Sequence, residues 1–353
     1  MKGLEVMATN KISTLSEFLH QSGAKYRVFD MGRRITKLSP DEFVGFEWAK
    51  EPYPYPFKKS ALFGVVFWDS KAPVHHYVWF LQFPLDEQGL LIQAARDEFL
   101  VMILDRVGAT MLSEGQDIDN ALKDSPYTFK PREDRMAAFN AMVTKSLAIM
   151  PSLYFDDALA YLTGKTDIDA WQSLGMQGFA DVAARLDDVD EILALIEIIA
   201  LMPTKPFLML STFLENAQTP TSIVEILNRR VLMELQEKEP DIAQICACLR
   251  AASNSPAKGL VDLMVKHVLE NPCSRDIEVL ATISGRIWRV LEQELICTLF
   301  VEQLAHNSAK QAGFSQLLAD VMFMPGMRPH IMKVLRSPNR SDKLSKAVGK
   351  MFG

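Results

Sequence analysis

The sequence has few cysteines and no start typical of an exported protein. Four cysteines in 353 residues are too few for the disulfide framework of small secreted domains, so we expect reduced, buried thiols. Residues 1–21 also lack the continuous apolar stretch of a signal peptide. Both absences favour a cytoplasmic protein.

Long apolar runs are scarce, and one segment requires a test as a membrane span. Residues 192–214 have about the length that a bilayer requires. They contain Glu197, Lys205 and two prolines near the middle. Charged residues and prolines are unfavourable in a lipid-exposed helix. We therefore expect two short buried helices that form a hairpin, and no transmembrane segment.

Complete catalytic motifs are also absent. Gly164, Lys165 and Thr166 resemble the end of a phosphate-binding loop, but Leu159 stands where the loop needs its first glycine. We therefore predict a helix end at Gly164. Ser255 and Lys258 have the spacing of a serine–lysine nucleophile pair without its companion motifs. They are better explained by a helix start, with Ser255 as N-cap and Pro256 in the first turn.

The residues that could bind a metal have unsuitable spacing. His75 and His76 are adjacent in a predicted strand, so their rings point to opposite faces, and we expect one buried or cross-strand paired ring and one exposed ring. Cys246 and Cys248 diverge around a predicted helix and fit core packing. The acidic cluster at 187–191 complements a helix dipole. We assign no catalytic residue, metal ligand or cofactor from the sequence.

Composition and length predict a folded chain of two parts. Hydrophobic residues make up 48 % and charged residues 23 %, which is ordinary for globular proteins. Residues 1–107 indicate a small α+β domain, with strand candidates at 61–68 and 75–83 that form a β-hairpin. Residues 108–133 are polar and contain glycine and proline, which is typical of a linker or long loop.

Residues 134–353 show helical periodicity and almost no strand pattern. In the middle of this segment, intervals of 16 to 20 residues separate Pro203, Pro220, Pro240, Pro256 and Pro272. Helix starts at Asp188, Thr221 and Ala257 are 33 and 36 residues apart. This period predicts a solenoid-like (HEAT-like) array of helical pairs, with a non-repeating bundle as the alternative. The predicted helices span 134–149, 152–162, 168–183, 188–202, 205–217, 221–238, 240–252, 257–270, 274–305 with a weak point near Gly285, 309–323, 326–336 and 342–352.

Charge is distributed unevenly along the chain. The net charge is -6, but residues 321–353 hold seven basic residues against one acidic residue, so they carry +6 and the remainder -12. A basic end on an acidic body predicts contact with an anionic partner. The candidate contact residues are Arg286, Trp288, Arg289, Arg328, Arg336, Lys343, Lys346 and Lys350.

The last segment, residues 342–352, is amphipathic. Lys343, Lys346 and Lys350 fall on one helical face, opposite Leu344 and Ala347. A simpler interpretation is a terminal helix that caps the array, with its apolar side buried and its lysines in water. Peripheral contact with an anionic membrane through 342–352 is a further alternative.

Three short stretches together carry a family resemblance. They are residues 26–33, residues 285–289, and residues 323–328 with Leu335 and Arg336 following. In combination they resemble a bacterial family of uncharacterised proteins of about this length. The resemblance covers nearly the whole chain and implies a bacterial cytoplasmic protein whose two halves belong together. It implies no activity, cofactor or catalytic residue.

The sequence favours a non-catalytic scaffold or interaction protein that binds an acidic protein partner through its helical array and basic C-terminal end. One alternative is an enzyme with a site between the two domains; its candidate residues are Asp30, Arg33, Arg34, His75 and His76. Another is a nucleic-acid-associated protein, although the acidic body disfavours it.

Overall fold

The computed structural model describes residues 12–69, 75–107, 122–188 and 192–352. The chain divides into two units. The first runs to Gly32 and continues over Thr36–Lys130, and the second comprises Arg33–Ile35 with Pro131–Gly353. Of the predicted linker at 108–133, residues 108–121 lie outside the described residues.

The first unit is built on a four-stranded antiparallel sheet in the order β2-β1-β3-β4. Strands β3 and β4 occupy the two segments for which strands are predicted, and the residues at 70–74 that join them lie outside the described part of the chain. The elements are α1 (Leu15–Gln21), β1 (Ala24–Asp30), β2 (Thr36–Leu38), α2 (Pro40–Glu47), β3 (Ser60–Asp69), β4 (His76–Pro84) and α3 (Gln93–Val107).

The start of α2 follows directly from the sequence. Ser39 Oγ accepts a hydrogen bond from the Glu42 amide at 3.2 Å, and Glu42 Oε2 accepts one from the Ser39 amide at 2.8 Å. With Pro40 in the first turn, this capping box pairs amides that a helix start leaves unbonded. The helix ends at Glu47, and two residues later Ala49 has a positive φ of 50°.

Aromatic side chains fill the core between α2 and the sheet. Phe43 and Tyr53 each meet the Phe63 ring edge-on, with centroids 5.2 and 5.4 Å apart. All three side chains are buried. The hydroxyl of Tyr53 donates to the carbonyl of Leu62 at 3.0 Å, so its one polar atom is satisfied inside the apolar core.

Apart from the inserted segment Arg33–Ile35, the described residues of the second unit form helices and the connections between them. The α-helices are α4 (Glu133–Ser146), α5 (Phe155–Leu162), α6 (Met176–Ala184), α7 (Ile192–Leu201), α8 (Thr204–Leu214), α9 (Thr221–Glu234), α10 (Ile242–Ala252), α11 (Lys258–Glu270), α12 (Ile277–Arg286), α13 (Glu294–Ala305), α14 (Lys310–Phe323), α15 (Met327–Leu335) and α16 (Asp342–Phe352).

Each helix from α4 to α14 contacts the helix two positions further along the chain. The even-numbered helices form one series from α4 to α16, and the odd-numbered helices form another from α5 to α15. Helix α10 is buried over most of its surface, including Ile245, Cys246, Cys248 and Leu249. The two cysteines therefore pack in the core as predicted, and burial raises the pKa of the Cys248 thiol to about 12.

Two predicted helices are interrupted. The segment 168–183 becomes a short 3₁₀ turn at Ala170–Ser173 followed by α6, because Leu174 and Gly175 adopt extended backbone. The segment 274–305 is divided by a 3₁₀ helix, Trp288–Glu292. The interruption follows Gly285, where the sequence predicts a weak point.

The apolar segment 192–214 forms two helices, α7 and α8, as predicted. Helix α7 is not buried as expected, because it buries only Leu195 and Ile199 and exposes Leu193 and Leu201. The two helices are separated by Met202 and Pro203, and Pro203 occupies the N-cap position of α8. Among the described residues, none of the helices combines the length and the apolar character that a bilayer crossing requires.

Candidate functional site

A pocket of about 300 Å³ opens in the helical unit where α10 and α12 end and α11 begins. Its walls come from the segment after α10, the first half of α11 and the 3₁₀ helix after α12, together with Arg34 from the inserted segment. The lining residues are Arg34, Ser253, Asn254, Ser255, Lys258, Val261, Asp262, Arg286, Ile287, Trp288, Arg289, Val290, Glu292 and Gln293.

The lining is basic. Arg34, Lys258, Arg286 and Arg289 bring four positive charges, against two negative charges from two carboxylates, Asp262 and Glu292. Asp262 also accepts a hydrogen bond from the side-chain amide of Gln293 across the pocket. Lys258 and Arg289 are exposed and form no ion pair with the described residues. The pocket therefore has a net positive charge that an acidic group in a ligand can neutralise.

Arg34 joins the carboxyl ends of three helices. Its Nε donates to the Glu215 carbonyl after α8 at 3.0 Å, and its Nη2 donates to the Ser253 carbonyl after α10 at 3.0 Å. The same nitrogen lies 3.5 Å from the Arg286 carbonyl, which ends α12. The last carbonyls of a helix have no partner within it and carry partial negative charge. One guanidinium thus satisfies carbonyls from three neighbouring helices.

Arg286 lies inside a group of arginines around one carboxylate. Its Nε is 3.1 Å from Glu215 Oε2, and Arg135 is 3.9 Å from Glu215 Oε1. Burial lowers the pKa of the Arg286 guanidinium, and the nearby carboxylate of Glu215 raises it. The positive charges of Arg135, Arg250 and Arg33 lower this pKa further. Glu215 is therefore the buried carboxylate that Arg286 and Arg135 share at this wall of the pocket.

Arg33 and Ile35 anchor the inserted segment on either side of Arg34. The guanidinium of Arg33 pairs with Asp320 of α14 at 2.6 Å and lies 5.9 Å from the centre of the Trp288 ring. The carbonyl of Arg33 accepts a hydrogen bond from Arg286. The amide of Ile35 donates to Asn216 Oδ1 at 2.8 Å. These contacts fix the backbone that carries Arg34 to the pocket.

The structure brings together three of the eight predicted contact residues. Arg286, Trp288 and Arg289 all line the pocket. The others are exposed on two later helices: Arg328 and Arg336 at the ends of α15, and the lysines on α16. None of these five lines the pocket. On α16, Leu344 and Ala347 are buried, so the predicted division into an apolar and a basic face is present.

The other sequence candidates occupy ordinary structural positions. Asp30 is buried in β1, and its Oδ1 accepts the Gly32 amide at 2.6 Å. His75 and His76 are both exposed, and His76 lies opposite Trp68 in the β3–β4 register. The cross-strand alternative of the prediction therefore holds for His76, and neither ring is buried. Gly164 has a φ of +73° and ends α5 as predicted. Across the residues that the structure describes, no cluster of three metal-ligating side chains occurs.

Ser255 differs from its predicted role. The expected N-cap is replaced by Ala257, and α11 starts at Lys258. The Ser255 hydroxyl instead donates to the Thr219 carbonyl at 2.7 Å and accepts the Ala257 amide at 3.1 Å. It therefore ties the α10–α11 connection to the segment before α9, and the helix begins two residues later than the proline suggests.

The sequence does not indicate that Arg34 and Lys258 belong to this pocket. Arg34 is a candidate only for an enzymatic site, and Lys258 only for a nucleophile motif. Arg34 lies 255 residues before Arg289 in the chain and Lys258 lies 31 residues before it, so only the folded chain brings the three together. Such contacts leave no periodic or local pattern in a single sequence.

Residues 10–352 match the family described as "Protein of unknown function (DUF3549)". The chain belongs to this family. The expected membership in an uncharacterised family that covers nearly the whole chain is therefore confirmed. No curated protein and no solved structure gives a match. Membership in DUF3549 brings no activity with it, so a functional conclusion has to come from the pocket and the surrounding charges.

Proposed function

We propose that the protein is a non-catalytic binding protein whose helical unit holds an acidic segment of a protein partner. The observation that carries this proposal is the convergence of Arg286, Trp288 and Arg289 with Arg34 and Lys258 around one pocket. Basic groups around a concave surface attract acidic segments and orient them on approach. The large ring of Trp288 gives the pocket a rigid apolar wall, which is typical of binding sites between proteins.

The helix contacts support an extended binding surface. Helices that contact their second neighbours in two parallel series are characteristic of helical-pair repeats. We propose on this support that the second unit is a solenoid-like, HEAT-like array, with the pocket in its later half. In such arrays each pair contacts only its neighbours, so a partner segment can lie along several repeats.

The basic C-terminal helices provide a second contact. Arg328, Arg336 and the three lysines of α16 are exposed and form no ion pair with the described residues. Their role is long-range attraction of the acidic partner, whereas the pocket supplies the close contacts. We favour a short acidic protein segment over nucleic acid, because the net charge of -6 repels a long polyanion wherever it extends beyond the basic residues. On this proposal the protein acts in the cytoplasm.

A labelled glutamate-rich peptide of about twelve residues tests the proposal by fluorescence anisotropy with the full chain. We expect the double variant Lys258→Glu/Arg289→Glu to weaken binding about tenfold, because it places two negative charges in the pocket. The matched control, Arg229→Glu/Lys238→Glu, changes the net charge equally at exposed positions away from the pocket. Equal weakening by the two variants would contradict a pocket-specific site, as would tighter binding of a single-stranded DNA of similar length.

A further inference from the structure

A second candidate binding surface lies in the first unit, at the edge of the sheet. Strand β1 pairs with β3 along its whole length, but with β2 only over residues 28–30. Strand β2 ends at Leu38, and Pro40 already belongs to α2. Within the described residues, the first half of β1, residues 24–27, therefore has no strand partner on its β2 side.

The register indicates which backbone groups face this open edge. The amide of Met31 donates to the Leu62 carbonyl on β3 at 2.7 Å. In an antiparallel pair, successive residues direct their backbone groups alternately to the two neighbouring strands. Residues 30, 28 and 26 therefore face the β2 side. Strand β2 does not extend as far as Tyr26. The amide and carbonyl of Tyr26 therefore point away from the sheet. In agreement, the Tyr26 carbonyl accepts a hydrogen bond from the side chain of Arg27 at 3.0 Å.

The space beside this edge is large enough for an extended chain. A pocket of about 420 Å³ is lined by residues 26–28, residues 37–40 and Glu42. It therefore lies where β2 would continue if it did not turn into α2. An incoming strand can take the place of that missing continuation.

The edge is positively charged on one face. Lys25 and Arg27 alternate along β1, and Lys37 lies opposite Phe29 on the same face. Lys25 and Lys37 are exposed. The guanidinium of Arg27 lies 5.5 Å from the centre of the Trp68 ring, and its buried Nε has no hydrogen-bond partner among the described residues. The lining of this pocket also contains the carboxylate of Glu42, which accepts a hydrogen bond from the Ser39 hydroxyl in the capping box.

We infer that this edge binds an extended acidic peptide by β-strand addition next to Tyr26. Backbone groups that have no strand partner on one side are complementary to another extended chain, and this bonding pattern is absent from lipids and nucleic acids. Three cations on one face select carboxylates at alternate positions of the added strand, since alternate side chains share a face. The inference does not depend on the proposed function, because it uses other residues in the other unit.

The test uses a labelled peptide in which glutamate alternates with valine, with anisotropy and hydrogen exchange as readouts on the full chain. We expect binding that protects the Tyr26 amide from exchange. The Arg27→Glu variant removes the central cation and should weaken binding at least about tenfold, since hydrogen bonds to charged groups are the stronger ones. Lys50→Glu, an equal charge change at an exposed position outside the pocket, should leave affinity within about twofold.

Two further arms test the backbone pairing itself. Tyr26→Pro removes the edge amide without removing a β1–β3 hydrogen bond, and edge strands tolerate proline. A peptide with N-methyl groups on its bonding edge tests the same contact without any change in the protein. Both should abolish binding. Unchanged binding in either arm, or equal affinity for a peptide with lysine in place of glutamate, would overturn the inference. So would a dimer that Tyr26→Pro converts to monomer, because a second copy of the chain would then occupy the edge.

Discussion

Arg286 Nε lies 3.1 Å from Oε2 of Glu215, with 6 % of the Glu215 side chain and 30 % of the Arg286 side chain exposed. Oε1 of Glu215 also lies 3.9 Å from Nη1 of Arg135. The main-chain carbonyl of Glu215 accepts a hydrogen bond from Nε of Arg34. This residue therefore connects the end of α8 to the basic wall of the pocket.

We expect Glu215→Gln to destabilise the helical unit by about 3 kcal/mol, the lower end of the range for breaking a buried pair. The reason is that the Arg286 guanidinium would lose the carboxylate that its Nε contacts at 3.1 Å, and Arg135 would lose the one at 3.9 Å. Chemical denaturation of the full chain measures the change. The control Glu225→Gln is exposed on α9 and should have little effect. A loss of less than about 1 kcal/mol would mean that this pair is worth no more than an exposed ion pair.

We expect Arg34→Ala to lower the free energy of unfolding by about 2 to 4 kcal/mol, because carbonyls at three helix ends lose their donor. Arg34→Lys should recover only a small part of this loss, since one ammonium group cannot span the separated carbonyls that the planar guanidinium reaches. Thermal and urea unfolding provide the measurement. Arg229→Ala, on the exposed face of α9, serves as the control, and equal stability of the Arg34 and Arg229 variants would contradict the assigned role.

The stability of the first unit should depend on the ionisation of Glu47. Burial raises the pKa of this carboxyl from 4.5 to about 7, although Ser16 and the Leu15 amide donate to it and Arg96 lies nearby. The folded state thus holds the proton more tightly than the unfolded state. The stabilisation that protonated Glu47 contributes to the folded state is fully present below pH 4.5. It is lost as the pH rises to about 7, which lowers the free energy of unfolding by about 3 kcal/mol.

Unfolding curves between pH 4.5 and 8 test this linkage. In the Glu47→Gln variant the side chain stays neutral, so the decline in stability over this range should largely disappear. Glu51→Gln, an exposed change a few residues away, should leave the decline as it is. If Glu47→Gln and the unchanged protein lost stability in parallel, another group would have to control the pH dependence.

The four cysteines should react slowly with iodoacetamide in the folded protein. Burial raises the pKa of Cys248 and Cys297 to about 12 and that of Cys273 to about 11, and only the thiolate is a nucleophile. Cys273 is half-buried and should be modified first. Mass spectrometry at pH 8 with and without urea follows each site. Fast modification of Cys248 without urea would show that α10 is far less buried than in this structure.

Local sequence patterns predict the helices well because their causes are local. The capping box at Ser39 and the glycine at 164 determine helix ends through bonds between residues close in the chain. The strand β2 is not among the predicted elements, since three residues are too few for an alternating pattern. The length of the helices around Gly285 is also misjudged, because the 3₁₀ turn at Trp288–Glu292 depends on packing against α13 and α15.

The pocket could be predicted only in part. The sequence suggests Arg286, Trp288 and Arg289 because basic and aromatic residues cluster there. It does not suggest Arg34, whose hydrogen bonds to Glu215, Ser253 and Arg286 go to backbone carbonyls. Any residue type supplies a carbonyl, so these contacts leave no trace in residue identity. Charge alone also cannot separate the pocket arginines from Arg328 and Arg336, which lie elsewhere.

The most direct measurement is photocrosslinking in the native host with benzoylphenylalanine in place of Glu292, an exposed residue of the pocket lining. A matched protein carries the same group at Glu237, which is exposed and away from the pocket. We expect Glu292 to capture a protein partner through a segment rich in aspartate and glutamate, and Glu237 to capture none. Equal yields at the two positions, or crosslinks to segments without acidic residues, would contradict the proposal that this basic pocket binds an acidic partner.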